Sequence, residues 1–436
     1  MQSQQKTEFH LKGAHDFDKL FPELRPLFVE DEDLEKLALS MIENARCLDS
    51  KTISNGLGIF GQFLAHDITF EVGSKFRGQN TPKFFNNHRS YQLDLDSLYG
   101  QYTQDFLYNK DDRNKLLLGM LCQDEYGNCW YDLQRNCQEK AIIPDARNDE
   151  NIIVSRIQML FLQFHNCMVD IVRQDCRFVN VFEESRRRVI WHYHWLILHE
   201  YLKKIMHPAI FEDIVNNGPK YFLAPWFLPL EFTGAAFRTG HSQTRQRNRI
   251  NEHVVKDLFE LGIFEKMEDY VDWHYLFDFG DGKVQPAKLL DSKIEKIFHD
   301  LPFIKSSDPF MRSLPFRNLK RGVIYGLPSG EDVARRMCFE PIEITITRKL
   351  RLDGTPLWYY ILKEAEVHGE GGEHLGPVGS TLAGEIFWAL MANHDDSYLK
   401  VHPKWVPTIG REEGKFDFVD LINFVGEPQP AAQSAD

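Results

Sequence analysis

Three largely apolar stretches that each carry a pair of polar side chains, together with one acidic loop, hold most of the chemistry this sequence can offer. In "LGIFGQFLAHDITF" (57–70), Gln62 and His66 stand four apart, so on a helix both project from one face while Phe60, Phe63, Leu64, Ile68 and Phe70 supply apolar cover. An imidazole titrates near neutrality, so His66 suits a general acid and base where a substrate reaches it, and otherwise serves as a satisfied core histidine. In "PDARNDENIIVSRIQMLFLQFHN" (144–166), Asp145 or a following asparagine caps a helix whose apolar face is Ile152, Ile153, Ile157, Leu160 and Phe161. Arg147 and Glu150 then share one side of its start, as a surface ion pair or as a functional pair. In "LPLEFTGAAFRTGHS" (228–242), Gly234, Ala235 and Ala236 leave room for a flat group ahead of Arg238 and His241. His241 fits an axial metal ligand or a helix-capping residue equally well. In "YQLDLDSLYG" (91–100), Asp94 and Asp96 lie two apart in what reads as extended chain, so both carboxylates face one way. That pairing suits a hard cation such as calcium, or simple solvation.

The elements that must hold these groups are helices. Apolar residues recur at helical spacing over 52–70, 151–175, 182–205, 252–263 and 378–392, whereas strand-like alternation is brief, as in "PIEITIT" (341–347). This predicts a mainly α protein with little β and long connecting loops at 77–90, 216–229 and 366–377. None of these loops is a linker. Residues 1–425 read as one domain, followed by a disordered tail at 426–436 that contains "EPQPAAQSAD".

Composition narrows the partners. A formal charge of −13 over 436 residues argues against a nucleic-acid or anionic-membrane surface. The basic run "RQRNR" (245–249) reads as a solvated helix end. The 33 phenylalanines suit a broad core or an apolar ligand cavity. Seven irregularly spaced cysteines with no CxxC pair disfavour both a disulfide framework and structural zinc. No 18-residue apolar run predicts a transmembrane segment, and the N-terminus lacks a signal-peptide core. A cytoplasmic location is the expectation, and a mature secreted form would look the same. His192, His194 and His199 in "WHYHWLILHEYLKK" lack zinc-protease spacing, "GEGGEHLGPVGS" follows no nucleotide-binding strand, and neither Cys167 nor Cys338 has a histidine or basic partner for nucleophilic chemistry.

Taken in order, these segments resemble the animal-type haem peroxidases of the peroxidase-cyclooxygenase superfamily, from about residue 20 to about 395, in the style of a bacterial single-domain member. "GQFLAHD" is similar to the distal-helix motif, which makes His66 the distal histidine, Gln62 its helical neighbour and Asp67 a calcium ligand. "DARNDEN" resembles the segment carrying the distal arginine, here Arg147, and a haem-contacting glutamate, here Glu150. "FRTGHS" matches the proximal motif, with His241 as the axial ligand and Arg238 beside a haem propionate. "RNLKRGVIYGLP" is similar to the motif in which Asn318 bonds the proximal histidine and Arg321 lies near a propionate. "LDLDSLYG" resembles the calcium loop, with Ser90, Gln92, Asp94 and Asp96 as its ligand positions.

The resemblance implies an animal haem peroxidase fold with haem b sandwiched between helices, bound Ca2+, and oxidation of a small organic or lipid-like substrate by hydrogen peroxide through a ferryl intermediate. Two departures matter. Ala65 replaces the aspartate that forms an ester in mammalian members, and Asn151 replaces the methionine of a sulfonium link, so at most one covalent bond, through Glu150, is left. Fewer electron-withdrawing links imply a less oxidising haem and favour organic substrates over chloride. The superfamily's radical-forming tyrosine would stand three residues before His241, where this chain has Arg238. The alternatives are a fatty-acid or biosynthetic-intermediate dioxygenase of the same superfamily and a haem-binding protein of low turnover.

Overall fold

Helix α1 spans Asn55–Ile68 in the computed structural model, which describes residues 16–42, 48–70, 87–100, 105–175, 177–223, 227–262, 269–426 and 428. Extended Ser54 starts it, its hydroxyl accepting from the Leu57 amide. The helical spacing predicted a start at 52. Instead Asp49–Ser54 is a strand, antiparallel to Pro286–Lys288, because the Glu373 carboxylate accepts from the Ser50 hydroxyl, the Lys51 amide and the Thr52 hydroxyl. Of the predicted tail, 427 and 429–436 lie outside the described residues, as do Cys47 and Cys176; the other five cysteines are free.

About 49% of the described residues are helical, with little strand, in agreement with the expected class. Helix α2 (Ile152–Gln174) is capped by Asn151, whose side chain accepts from the Ile153 and Val154 amides. Helix α3 (Val181–Trp195) runs on through a π-helical turn, Leu196–Leu202, to Ile205. Helices α4 (Leu314–Ile324), α5 (Leu357–His368), α6 (Pro377–Asn393) and α7 (Phe418–Val425) complete the core. Among the described residues only α2 is long and apolar enough to cross a membrane, and 83% of its most apolar stretch is buried inside the protein.

Many of the phenylalanines are core. Phe63 of α1 stacks on Phe161 of α2 at 5.4 Å, and Tyr193 of α3 meets Phe161 edge-on at 5.6 Å. Phe418 of α7 closes on Phe60 at 4.7 Å and stacks on Phe277 at 4.4 Å. Each such pair contributes roughly 0.5–1.5 kcal/mol beyond its area. This aromatic block fixes α1 against α2, α3 and α7.

Four local expectations are corrected. Of the expected helix at 252–263, residue 263 lies outside the described residues and 252–262 form none: Val255–Asp257 pairs antiparallel with Arg247–Arg249, and Leu258–Glu260 is a 3-10 turn. The Asn251 side chain accepts from the His253 and Val254 amides and turns the chain back on itself, so "RQRNR" supplies a strand rather than a helix end. "PIEITIT" forms no strand, because the Ile342 amide donates to the Tyr360 hydroxyl and a helix starts at Thr345. Nor is the chain extended at Asp94: Leu93 and Leu95 are left-handed, with φ of 55° and 57°, and Asp96 opens the short helix Asp96–Tyr99.

Beyond α4, Gly330 lets the backbone lie on Tyr360 of α5; a Cβ there would come within 2.0 Å of the ring's Cγ. Gly330→Ala is therefore expected to destabilise the protein by about 1–3 kcal/mol, read as a lower denaturant midpoint at unchanged slope.

Candidate active site

His66 reaches a cavity of about 650 Å³ from the buried side of α1, with Gln62 and Ala65 in the same wall. Its Nδ1 lies 2.7 Å from Asn148 Oδ1. Because that oxygen only accepts, Nδ1 carries the proton and Nε2 keeps its lone pair. Asn148 Nδ2 donates to Gln158 Oε1 at 2.8 Å, and Gln158 Nε2 donates to the Ser97 carbonyl at 3.4 Å. A buried amide chain thus fixes the ring through α2. Burial, reinforced by the Arg147 charge, pushes His66 down to about 4, so the imidazole is neutral at pH 7.

Arg147 sits in the 3-10 turn Ala146–Asp149, capped by Asp145, whose Oδ1 accepts from the Arg147 amide at 3.0 Å. The guanidinium donates Nε to Asp145 Oδ1 at 2.9 Å and Nη2 to Asp145 Oδ2 at 2.6 Å and to the His66 carbonyl at 3.0 Å. Its face lies 4.6 Å from the Phe70 ring centre. Burial alone would raise Asp145, but its hydrogen bonds to Arg147 and the charges of Arg147 and Arg89 outweigh it and hold the carboxyl below its ordinary range. Glu150 lines the same cavity, and burial raises its carboxyl above the usual value.

The opposite wall is the segment 230–243, broken into Leu230–Gly234, Ala236–Arg238 and Gly240–Gln243. Gly234, Ala235 and Ala236 are not among the cavity's lining residues: Gly234 instead seats Tyr325, whose Cδ2 lies 2.8 Å from where a Cβ would stand. The open floor is at Gly240, where a Cβ would meet nothing within 4 Å. His241 Nδ1 is 2.8 Å from the Asn318 side-chain amide on α4, and its Nε2 has no hydrogen-bond partner among the described residues. Burial and the charges of Arg238 and Arg321 push His241 down to about 3, which leaves it neutral. An axial role for Nε2 needs the proton on Nδ1, which turns the Asn318 amide so that its oxygen accepts. Arg238 and Arg321 both line the cavity; Arg238 donates to the Thr233 carbonyl and Arg321 to the Tyr325 hydroxyl. A planar group held between two neutral imidazoles and flanked by guanidiniums for its carboxylates fits this arrangement.

Beneath α1, Asp67 is fully buried. Its Oδ1 accepts from the Ser97 amide and hydroxyl, and its Oδ2 from the Leu95 amide and the Tyr193 hydroxyl. Asp96 Oδ2 accepts from the Ser90 amide at 2.8 Å; the Ser90 hydroxyl accepts from the Gln92 amide, and Gln92 is exposed. Asp94 Oδ1 and Asp96 Oδ1 are buried without a hydrogen-bond partner. Burial, and the neighbouring carboxylates after it, raise Asp67 to about 6 and Asp96 to about 8. Two orphaned oxygens in a crowded acidic loop fit a hard cation. Asp67, in contrast, spends both oxygens on protein donors, and among the described residues no three acidic, histidine or cysteine side chains gather tightly enough to hold a metal.

The structure therefore brings His66, Gln62, Arg147, Glu150, His241, Arg238, Asn318 and Arg321 to one cavity, and sets Asp67, Ser90, Asp94 and Asp96 around a second locus behind it. Asn148, Gln158, Arg89, Arg317 and Tyr201 escaped the sequence reading. Asn148 carried one usable signal, its place beside Arg147 in a capped turn; nothing in periodicity marks the others.

A family model described as animal haem peroxidase matches residues 77–268. That stretch holds Arg147 and His241 and lies beyond His66 and before Asn318. Chorion peroxidase of Drosophila melanogaster is 29% identical over 270 residues, covering 55% of this chain and 32% of that protein, so the chain spans about a third of this relative's length. Among solved structures, peroxidase A of Dictyostelium discoideum superimposes with a TM-score of 0.62 at 15% identity, covering 88% of each chain. Fatty acid α-dioxygenase of Oryza sativa gives 0.60 at 13% identity, over 84% of this chain and 75% of that one. At these identities the likeness to solved structures is one of fold.

Proposed function

We propose that the chain belongs to the animal haem peroxidase family, whose model matches residues 77–268, and that it is a haem-dependent peroxidase oxidising a small organic or lipid-like molecule with hydrogen peroxide. One observation carries the reading: a neutral imidazole with an unpartnered Nε2 on each of two walls of a single cavity, with a guanidinium beside the first. His241, supported by Asn318, would hold haem b, with Arg238 and Arg321 toward its propionates. Glu150 is the carboxyl available for an ester, since Ala65 removes the other. Bound haem supplies the redox-active iron that receives the oxidising equivalents of peroxide.

The chain's own residues then divide the work. His66 Nε2 takes the proton from one peroxide oxygen and returns it to the other, while the bond from Nδ1–H to Asn148 keeps the ring in the tautomer this requires. Arg147 stabilises the negative charge on the departing oxygen from a fixed, partly desolvated position. Gln62, one turn from His66, orients water or substrate. Calcium at Asp94 and Asp96 would neutralise the two orphaned oxygens of the loop, which Asp67 already ties to α1 through the Leu95 and Ser97 amides.

A second reading, a fatty-acid dioxygenase, draws support from Tyr201, a buried phenol in the cavity wall whose hydroxyl has no partner among the described residues, and from the apolar flank of Phe259, Phe298 and Phe303. The haem-loaded protein, confirmed by its Soret band, separates the two when given peroxide with a phenol and, separately, a fatty acid with oxygen. Phenol oxidation in the first mixture supports the peroxidase; rapid oxygen uptake confined to the second sinks it. The peroxide step should also be level through neutral pH and decline as pH falls through about 4, because a protonated His66 accepts nothing. Stopped-flow rates that bend instead near the ordinary histidine value of 6.5 would contradict that role.

A further inference from the structure

Asp145 serves two arginines. Its Oδ1 takes the Arg147 amide and Nε, while its Oδ2 takes Arg147 Nη2 at 2.6 Å and Arg89 Nε at 2.9 Å. Arg89 in turn donates Nη2 to the Pro144 carbonyl at 2.8 Å, and its Nη1 lies 3.6 Å from Asp96 Oδ1. The Phe70 ring is shared as well, 5.7 Å from the Arg89 guanidinium and 4.6 Å from that of Arg147. The Asp145 side chain is 1% exposed and that of Arg89 9%. Arg147 Nη1 has no hydrogen-bond partner among the described residues, whereas Nε and Nη2 are both committed.

We propose that Arg89 is a positioning residue for the distal guanidinium, acting through Asp145 and tying the aim of Arg147 to the acidic loop at Asp96. The physical reason is charge sharing. A buried carboxylate facing Arg147 alone would draw that guanidinium fully onto itself and mask its charge; a second guanidinium on Oδ2 divides the pull and fixes the carboxylate plane. Two hydrogen bonds, to Asp145 and to the Pro144 carbonyl, and the longer charge pairing with Asp96 make Arg89 the rigid end of the relay. Arg147 is then oriented with its Nη1 uncommitted. The inference rests on the proposed role of Arg147 toward peroxide.

The test uses the haem-loaded full chain with Arg89→Ala and Arg89→Gln. Stopped-flow mixing with hydrogen peroxide reads the first step, and titration of the resting protein with cyanide reads the same distal electrostatics without turnover. Arg89→Ala is expected to lower both the peroxide rate constant and cyanide affinity by about 10–100-fold, the usual effect of removing an outer-shell partner. The Soret band and the later reduction by a phenol stay within about twofold of wild type, and millimolar guanidinium restores part of the peroxide rate, as no folding defect would allow. Peroxide rate and cyanide affinity both at wild-type level would overturn the proposal. Should Arg89→Ala fail to retain haem, the same two measurements on Arg89→Gln decide it. A wild type that holds haem but ignores peroxide ends the peroxidase reading, and cyanide affinity alone then judges Arg89.

Discussion

Replacing His66 with alanine is expected to slow the reaction with hydrogen peroxide by about 100- to 10,000-fold, the range lost when a positioned acid–base group is removed. The Soret band should survive, because the ring contributes no bond to the cofactor in the proposed arrangement. The size of the loss follows from how fully the site commits this one imidazole. Burial and Arg147 keep it neutral, Asn148 fixes its tautomer, and Gln158 fixes Asn148. No other histidine lines the cavity except His241 on the opposite wall, so no neighbour stands ready to substitute. Comparable peroxide rates for His66→Ala and wild type would favour a haem-binding protein of low turnover.

His241→Ala should have the larger effect on the cofactor itself. Loss of a partner behind a ligand reduces affinity by about 10–100-fold, and loss of the ligand exceeds that. Haem added to this variant is expected to elute away from the protein on gel filtration, and external imidazole should restore a Soret band, since Asn318 is left facing a ring-sized gap. Full retention of haem by His241→Ala with an unchanged spectrum would show that the axial ligand lies elsewhere. The two substitutions also dissect the site: the first spares binding and removes chemistry, whereas the second removes both.

Much of this site was legible because two of its carriers are strongly patterned. The spacing of Phe60, Phe63, Leu64 and Ile68 put His66 and Gln62 on an amphipathic helix, and the caps at Asp145 and Asn151 located the turn that presents Arg147. What stayed hidden depends on partners remote in sequence. Thr52 to Ser54 read as helical because nothing local shows that Glu373 will take the donors of Ser50, Lys51 and Thr52. Asp94 and Asp96 read as extended because the left-handed turns at Leu93 and Leu95 follow from backbone amides drawn to Asp67. Gly234, Ala235 and Ala236 read as room for a flat group, whereas Gly234 makes space for the Tyr325 ring. The Asn148–Gln158 amide chain has no periodic signature at all.

The lacing of α1 bears on the order in which the protein can assemble. The helix carrying His66 is made well before its partners: the residues ahead of it are fastened by Glu373, up to 323 positions later, and Phe60 is covered by Phe418. Contacts so distant in sequence form slowly and late. During synthesis the histidine helix must wait, with an aromatic face unburied, until Phe418 has left the ribosome. A polypeptide interrupted short of Phe418 therefore carries His66, Arg147 and His241 without the aromatic cover that holds the first of them in place.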